Sequence, residues 1–148
     1  MMNLLLLFVS LSHAGVAAYS GPAGEKVLVE SAASLGKGVH LVRLDGVESK
    51  WAGKVIKTVK STTASGDRYN FDYSQVLSSG VKKKTYGLLV ETGKTLVNGT
   101  LVPKMRVYYP EGGNDGLEVV YDAELTKASQ SAGLKAQRAK APYEPVFD

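Results

Sequence analysis

The chain has 148 residues, 18 Lys and Arg against 14 Asp and Glu, a formal net charge of +4, 16 glycines and no cysteine. Without cysteine it has no disulfide, no thiol nucleophile, no thiolate ligand for zinc and no thioether link to haem. The positive charge suits acidic partners such as anionic glycans or lipid headgroups. It falls far short of a dedicated nucleic-acid binder, so no specific nucleic acid is expected.

The first residues read MMNLLLLFVSLSHAGVAAYSGPAG. Leu4 to Leu11 are apolar except for Ser10, and the small residues that follow end in Val16-Ala17-Ala18. This pattern predicts a secretory signal peptide over 1–18, cut between Ala18 and Tyr19. No Lys or Arg precedes the apolar core. The run is too short to cross a bilayer, which takes ~20 residues. The expected location is therefore secreted or extracellular, periplasmic if the source is a Gram-negative bacterium. No transmembrane segment is expected in the mature chain. The polar C-terminal APYEPVFD carries no lipid-anchor signal.

Strand signals fill the middle. They are KVLVE (26–30), GVHLVRL (38–44), DRYNFDYSQVL (67–77), TYGLLVE (85–91), KTLV (94–97), TLVPKMRVYY (100–109) and GLEVVYDAEL (116–125). Turn chemistry separates them: Asp45-Gly46, Ser65-Gly66, Ser79-Gly80, Thr92-Gly93, Asn98-Gly99 and the run from Gly112 to Gly116. Short strands with regular turns predict an all-β, single-domain antiparallel sandwich or barrel of about seven or eight strands. Residues 19–125 form this domain, and 126–148 form a C-terminal helix or flexible tail.

Two stretches depart from the strand pattern. In ESKWAGKVIKTVKS (48–61), Trp51, Val55, Ile56 and Val59 recur at helical spacing, with Lys50, Lys54, Lys57 and Lys60 opposite. Asp45 and Glu48 stand three apart, as a capping pair does. A short helix is expected there, although Gly53 and the β-branched residues favour a strand, whose faces are less clean. DAELTKASQSAGLKAQRAKAP (122–142) has helix-forming composition, interrupted by Gly133, with a face that is mostly alanine.

TLVNGTLV (95–102) centres on Asn98-Gly99 between apolar, β-branched runs. Both central residues of a type I′ turn need positive φ, which this pair supplies. A two-residue loop sets Val97 opposite Thr100 and Leu96 opposite Leu101. Pro103 limits pairing further along or marks an edge. Asn98-Gly99-Thr100 is also an acceptor for N-linked sugar in a eukaryotic secretory pathway, and a hairpin tip is accessible to it.

Nothing in the sequence assembles a catalytic site. After the leader, His40 is the sole histidine, and no Ser-His-Asp grouping is recognisable. Carboxylates are scattered. Glu111, Asn114 and Asp115 offer oxygen ligands, but their spacing matches no calcium loop. SGPAGEK (20–26) has the wrong glycine spacing to cradle phosphate. The expectation is a non-enzyme with no cofactor and no metal.

Binding candidates are surface charges and aromatics. Lys54, Lys57 and Lys60 with Lys82, Lys83 and Lys84 would form a basic ridge if they met in space. Tyr69, Phe71 and Tyr73 stand on one face of a strand, as a stacking platform or as core. The expected function is a secreted, non-catalytic binding protein for an extracellular protein or anionic glycan. An inhibitor of an extracellular hydrolase, presenting 77–86, is the alternative, as is a structural subunit of an extracellular assembly joined by strand edges. LVPKMRVYYPEGGNDGLEVVYDAEL (101–125), a Pro-bracketed strand, a loop and a V-x-x-Y strand, resembles the C-terminal part of ecotin-like serine-protease inhibitors. The resemblance implies an inhibitor, and this chain lacks the cysteines familiar from many of that family.

Overall fold

The computed structural model describes residues 15–147; Asp148 and residues 1–14 of the expected leader lie outside the described residues. Eight antiparallel strands follow one another around a closed barrel. They are β1 (Val16–Ser20), β2 (Lys26–Ser31), β3 (Val39–Asp45), β4 (Val55–Thr63), β5 (Gly66–Leu77), β6 (Gly80–Val97), β7 (Thr100–Val107) and β8 (Leu117–Tyr121). The β8 strand returns to β1 through Tyr19 opposite Tyr121 and Ser20 opposite Val120. Of the two expected architectures, the barrel is the one that forms.

Alternation explains the layers. Val27 and Val29, Val42 and Leu44, Ile56, Leu89, Met105, Val107 and Val119 point inward and are buried together. The opposite face of the first four strands is also apolar: Val16, Ala18, Leu28, Val39, Leu41 and Val55. Two short helices cover it, α1 (Ala123–Ala128) and α2 (Leu134–Lys140). The alanine-rich segment is thus anchored by Leu134, which is fully buried in that outer layer. Asp122 caps α1 by accepting the Leu125 N–H at 2.9 Å.

The seam between β1 and β8 is short, and side chains complete it. Gln130 Oε1 accepts from the Val16 N–H at 3.2 Å, and its Nε2 donates to the Val16 carbonyl at 2.7 Å. Thr126 Oγ1 accepts from the Ala18 N–H at 2.8 Å. These side chains stand in for a neighbouring strand along the open edge of β1. The expected cleavage point falls inside this strand, with Val16, Ala17 and Ala18 on its N-terminal side.

The expected helix over 48–61 is a correction. Residues 49–53 turn, Gly53 takes φ 75°, and Val55–Thr63 is strand β4. The β-branched run Val55, Ile56, Thr58 and Val59 prefers the pleated surface, and pairing with β3 outweighs the helical period. Strand β1 is the other element absent from the strand reading, because its letters also suit a leader. The Asn98-Gly99 turn forms as expected. The two residues take φ 51° and 79°, with Val97 opposite Thr100 and Leu96 opposite Leu101. Pro103 pairs with Lys94 of β6, and β8 joins β7 only from Lys104 onward.

Candidate functional site

The structure distributes the expected binding residues over separate places. Tyr69 and Phe71 are core, 6% and 8% exposed, which is one of the two readings the strand allows. Tyr73 is half-buried, and its ring stacks on Phe147 with centroids 4.3 Å apart. Around them an aromatic cluster closes one end of the barrel. Trp51 packs edge-on against Phe71, Tyr86 and Phe147 at 5.4–5.8 Å. Phe147 arrives because the C-terminal segment lies beside β4, bridging Tyr143 to Ile56. Burial pushes the Tyr86 phenol up to about 12, with Tyr73 and Glu111 adding to the effect.

Trp51 is delivered by the loop between β3 and β4. Glu111, one of the oxygen ligands in the 110–116 loop, is committed to holding that loop. Its carboxylate accepts from Ser49 Oγ at 2.7 Å and from the Lys50 N–H at 3.2 Å. These bonds hold its pKa below the ordinary carboxylate value, the Ser49 bond most of all.

The six lysines do not form one ridge. Lys54 lies over the Tyr143 ring, 5.6 Å from its centroid. Lys57 faces outward beside Asp72, Thr85 and Arg138 along a groove of about 460 Å³. Lys60 is on the inward period of β4 and pairs with Asp67 at 3.4 Å. Spacings of three along a strand put consecutive lysines on opposite faces, whereas on a helix they would share one.

Lys82, Lys83 and Lys84 sit elsewhere, on a finger. Strand β4 leaves β5 after Val59 pairs with Asn70, and β7 meets β6 only from Leu89. Between these limits β5 and β6 pair only with each other, from Phe71–Tyr86 out to Leu77–Gly80. All three lysines are exposed. The tip beyond them is apolar, with Val76 81% and Val81 66% exposed.

The second polar place is the other mouth of the barrel, which sequence reading missed. A cavity of about 110 Å³ opens there. Its polar lining includes His40, Lys60, Asp67, Tyr69, Glu91 and Lys94. Lys94 pairs with Glu91 at 2.5 Å, and the Asp67 N–H donates to Glu91 Oε1 at 3.1 Å. Thr62 Oγ1 donates to Asp67 Oδ1 at 2.9 Å. The His40 ring meets Tyr69 edge-on at 5.3 Å, with Nδ1 3.0 Å from the Gly38 carbonyl. Burial raises the phenols of Tyr19 and Tyr69 far above their ordinary values, and the charges of Glu91 and Asp67 add to this. Both therefore remain hydrogen-bond donors at neutral pH.

Among the described residues, no group of three or more His, Asp or Glu could hold a metal ion, and no helix is long and apolar enough to cross a membrane. The segment 101–125, which resembles ecotin-like inhibitors, forms β7, the loop after it, β8 and the start of α1. No protein-family model, curated protein or solved structure matches the chain.

Proposed function

We propose that this is a secreted, non-catalytic binding protein that engages an anionic extracellular partner through the β5–β6 finger. The observation that carries the reading is the projection of Lys82, Lys83 and Lys84 on a hairpin that pairs with no other strand among the described residues. An extracellular protein with an acidic face suits the finger better than an anionic glycan. The exposed Val76 and Val81 need an apolar counterpart, which a sugar polymer supplies poorly. The leader-like sequence of the first residues supports export.

The same projection favours, as a second reading, an inhibitor that presents 77–86 to an extracellular hydrolase. A structural subunit is the weaker reading, because barrel closure removes most strand edges and leaves, among the described residues, mainly the sides of the β5–β6 finger and of the shorter β6–β7 tip for association.

The test combines immobilised heparin, an immobilised panel of acidic extracellular proteins and a hydrolase panel. Binding to an acidic protein should fall steeply with salt, since exposed charges are screened over roughly 8 Å at physiological ionic strength. Replacing Lys82, Lys83 and Lys84 together by Gln should abolish it, and Val76→Ser with Val81→Ser should weaken it. Loss on heparin with the lysine variant but not with the valine variant would identify a glycan instead. Undiminished binding by the lysine variant would overturn the reading, and inhibition of a hydrolase would select the alternative.

A further inference from the structure

An eight-stranded barrel has an interior that side chains just fill, or that holds one small ligand. Here the two outcomes divide along the axis. At the aromatic end and through the middle, inward positions carry Phe, Tyr, Leu, Ile and Val, the loop residue Trp51 packs among them, and the interior is filled. At the other mouth the same inward periods carry Ala17, Ser31, His40, Lys60 and Glu91, and a cavity of about 110 Å³ remains. Paired charges that solvent reaches contribute little to folding, which leaves those at this mouth available to a ligand.

The lining selects the ligand's charge. Two ammonium groups, Lys60 and Lys94, are each matched to a carboxylate, Asp67 and Glu91. An anion entering alone would separate a lysine from its carboxylate and leave that carboxylate unpaired. A cation entering alone would strand a lysine. A zwitterion inserts its carboxylate toward a lysine and its ammonium toward an acid, so every charge keeps a partner. The carboxylates are already oriented, Asp67 by Thr62 and Glu91 by the Asp67 N–H. Lys94 is half-exposed, whereas its partner Glu91 is mostly buried. Tyr19 and Tyr69 border the same cavity.

Size sets the rest. A cavity of about 150 Å³ accepts a six-carbon ring. The smaller volume here admits a molecule of about five to seven heavy atoms. We propose that the polar mouth of the barrel is a binding site for a small zwitterion of the size of glycine, alanine or serine, held by the Lys60–Asp67 and Lys94–Glu91 pairs that line it. The site is independent of the β5–β6 finger.

The experiment is calorimetric titration of the whole protein with glycine, L-alanine and L-serine, with acetate and methylammonium as controls of single charge. At least one zwitterion should bind about ten-fold or more tightly than either control. Lys94→Gln, at a half-exposed position, should weaken that binding about ten-fold with the melting temperature unchanged. Ala17→Leu fills the cavity and should abolish it in a barrel whose circular dichroism is retained; should that variant fail to fold, Ser31→Leu takes its place. Acetate or methylammonium binding as tightly as the zwitterions, no binding of any of the three, or unchanged affinity in Lys94→Gln would each overturn the proposal.

Discussion

The two ends of the barrel use the same strands for opposite purposes. At one end Phe71 of β5, Tyr86 of β6 and the incoming Phe147 close over Trp51. At the other, four residues back along β5 and five onward along β6, the inward side chains are Asp67 and Glu91. The first end is stabilised by large rings that meet Trp51 edge to face and stack on one another, arrangements favoured by their quadrupoles. The second is held by hydrogen bonds and ion pairs whose members are a tenth to a half exposed. A single inward register therefore carries packed rings at one end and paired charges at the other.

The largest effect should come from breaking the packed end. Phe71→Ala should cost about 3–5 kcal/mol, read as a large fall in the denaturation midpoint. The Trp51 indole N–H is buried without a hydrogen-bond partner among the described residues, so Trp51→Phe should cost clearly less than Trp51→Ala. If Phe71→Ala melted like wild type, the aromatic cluster would not be the core of this end.

The next effect concerns the barrel's seam. A mature chain starting at Tyr19 would lack Val16 and Ala18, both buried under the helices, and the backbone groups bound by Thr126 and Gln130. Ser12 and Ala14 also satisfy the small-residue rule, and a cut after Ala14 keeps β1 whole. Mass spectrometry of exported protein should find Gly15 at the terminus, and Gln130→Ala should cost about 1–3 kcal/mol. A stable exported chain beginning at Tyr19 would show that β1 is dispensable.

Alkali should separate the ends less sharply, because buried phenols stand at both. The folded-state pKa values of Tyr19, Tyr69 and Tyr86 are raised, chiefly by burial. Their contribution is fully present below the unfolded value near 10 and is lost as pH rises, for Tyr86 between about 10 and about 12. The tyrosinate absorbance of Tyr19, Tyr69 and Tyr86 should appear only together with the change in circular dichroism, above pH ~10. Ionisation of all tyrosines near that pH with the fold intact would contradict their burial.

The β fold was legible because alternation and turn residues are local signals. Asn98-Gly99 specifies its own φ values, and the register follows from the loop length. In a glycosylating host the exposed Asn98 should carry sugar, and Asn98→Ala should cost ~1 kcal/mol through its positive φ. The polar mouth was illegible for a related reason. Along β4 the inward face runs Ile56, Thr58, Lys60, and that mixed face made a helix look cleaner. Thr58 is fully buried, its hydroxyl donating to the His40 carbonyl at 2.8 Å, and Lys60 finds Asp67 across the next hairpin. Neither partner can be read from 48–61 alone. The lysine finger was visible as three letters, but its isolation depends on where β4 and β7 leave their neighbours.

The smallest expected effect decides what the polar end is for. Lys94 and Glu91 are close enough for a strong pair, yet Lys94 is half-exposed, and solvent screens such contacts. Lys94→Gln should change stability by no more than about 0.5 kcal/mol in a denaturant melt. Against the loss expected for Phe71→Ala, that contrast would mean the charges at the mouth are retained for something other than folding. A loss of several kcal/mol would mean the reverse: that the mouth is cross-linked by its ion pairs as the other end is by its rings, and that no ligand need be invoked to explain them.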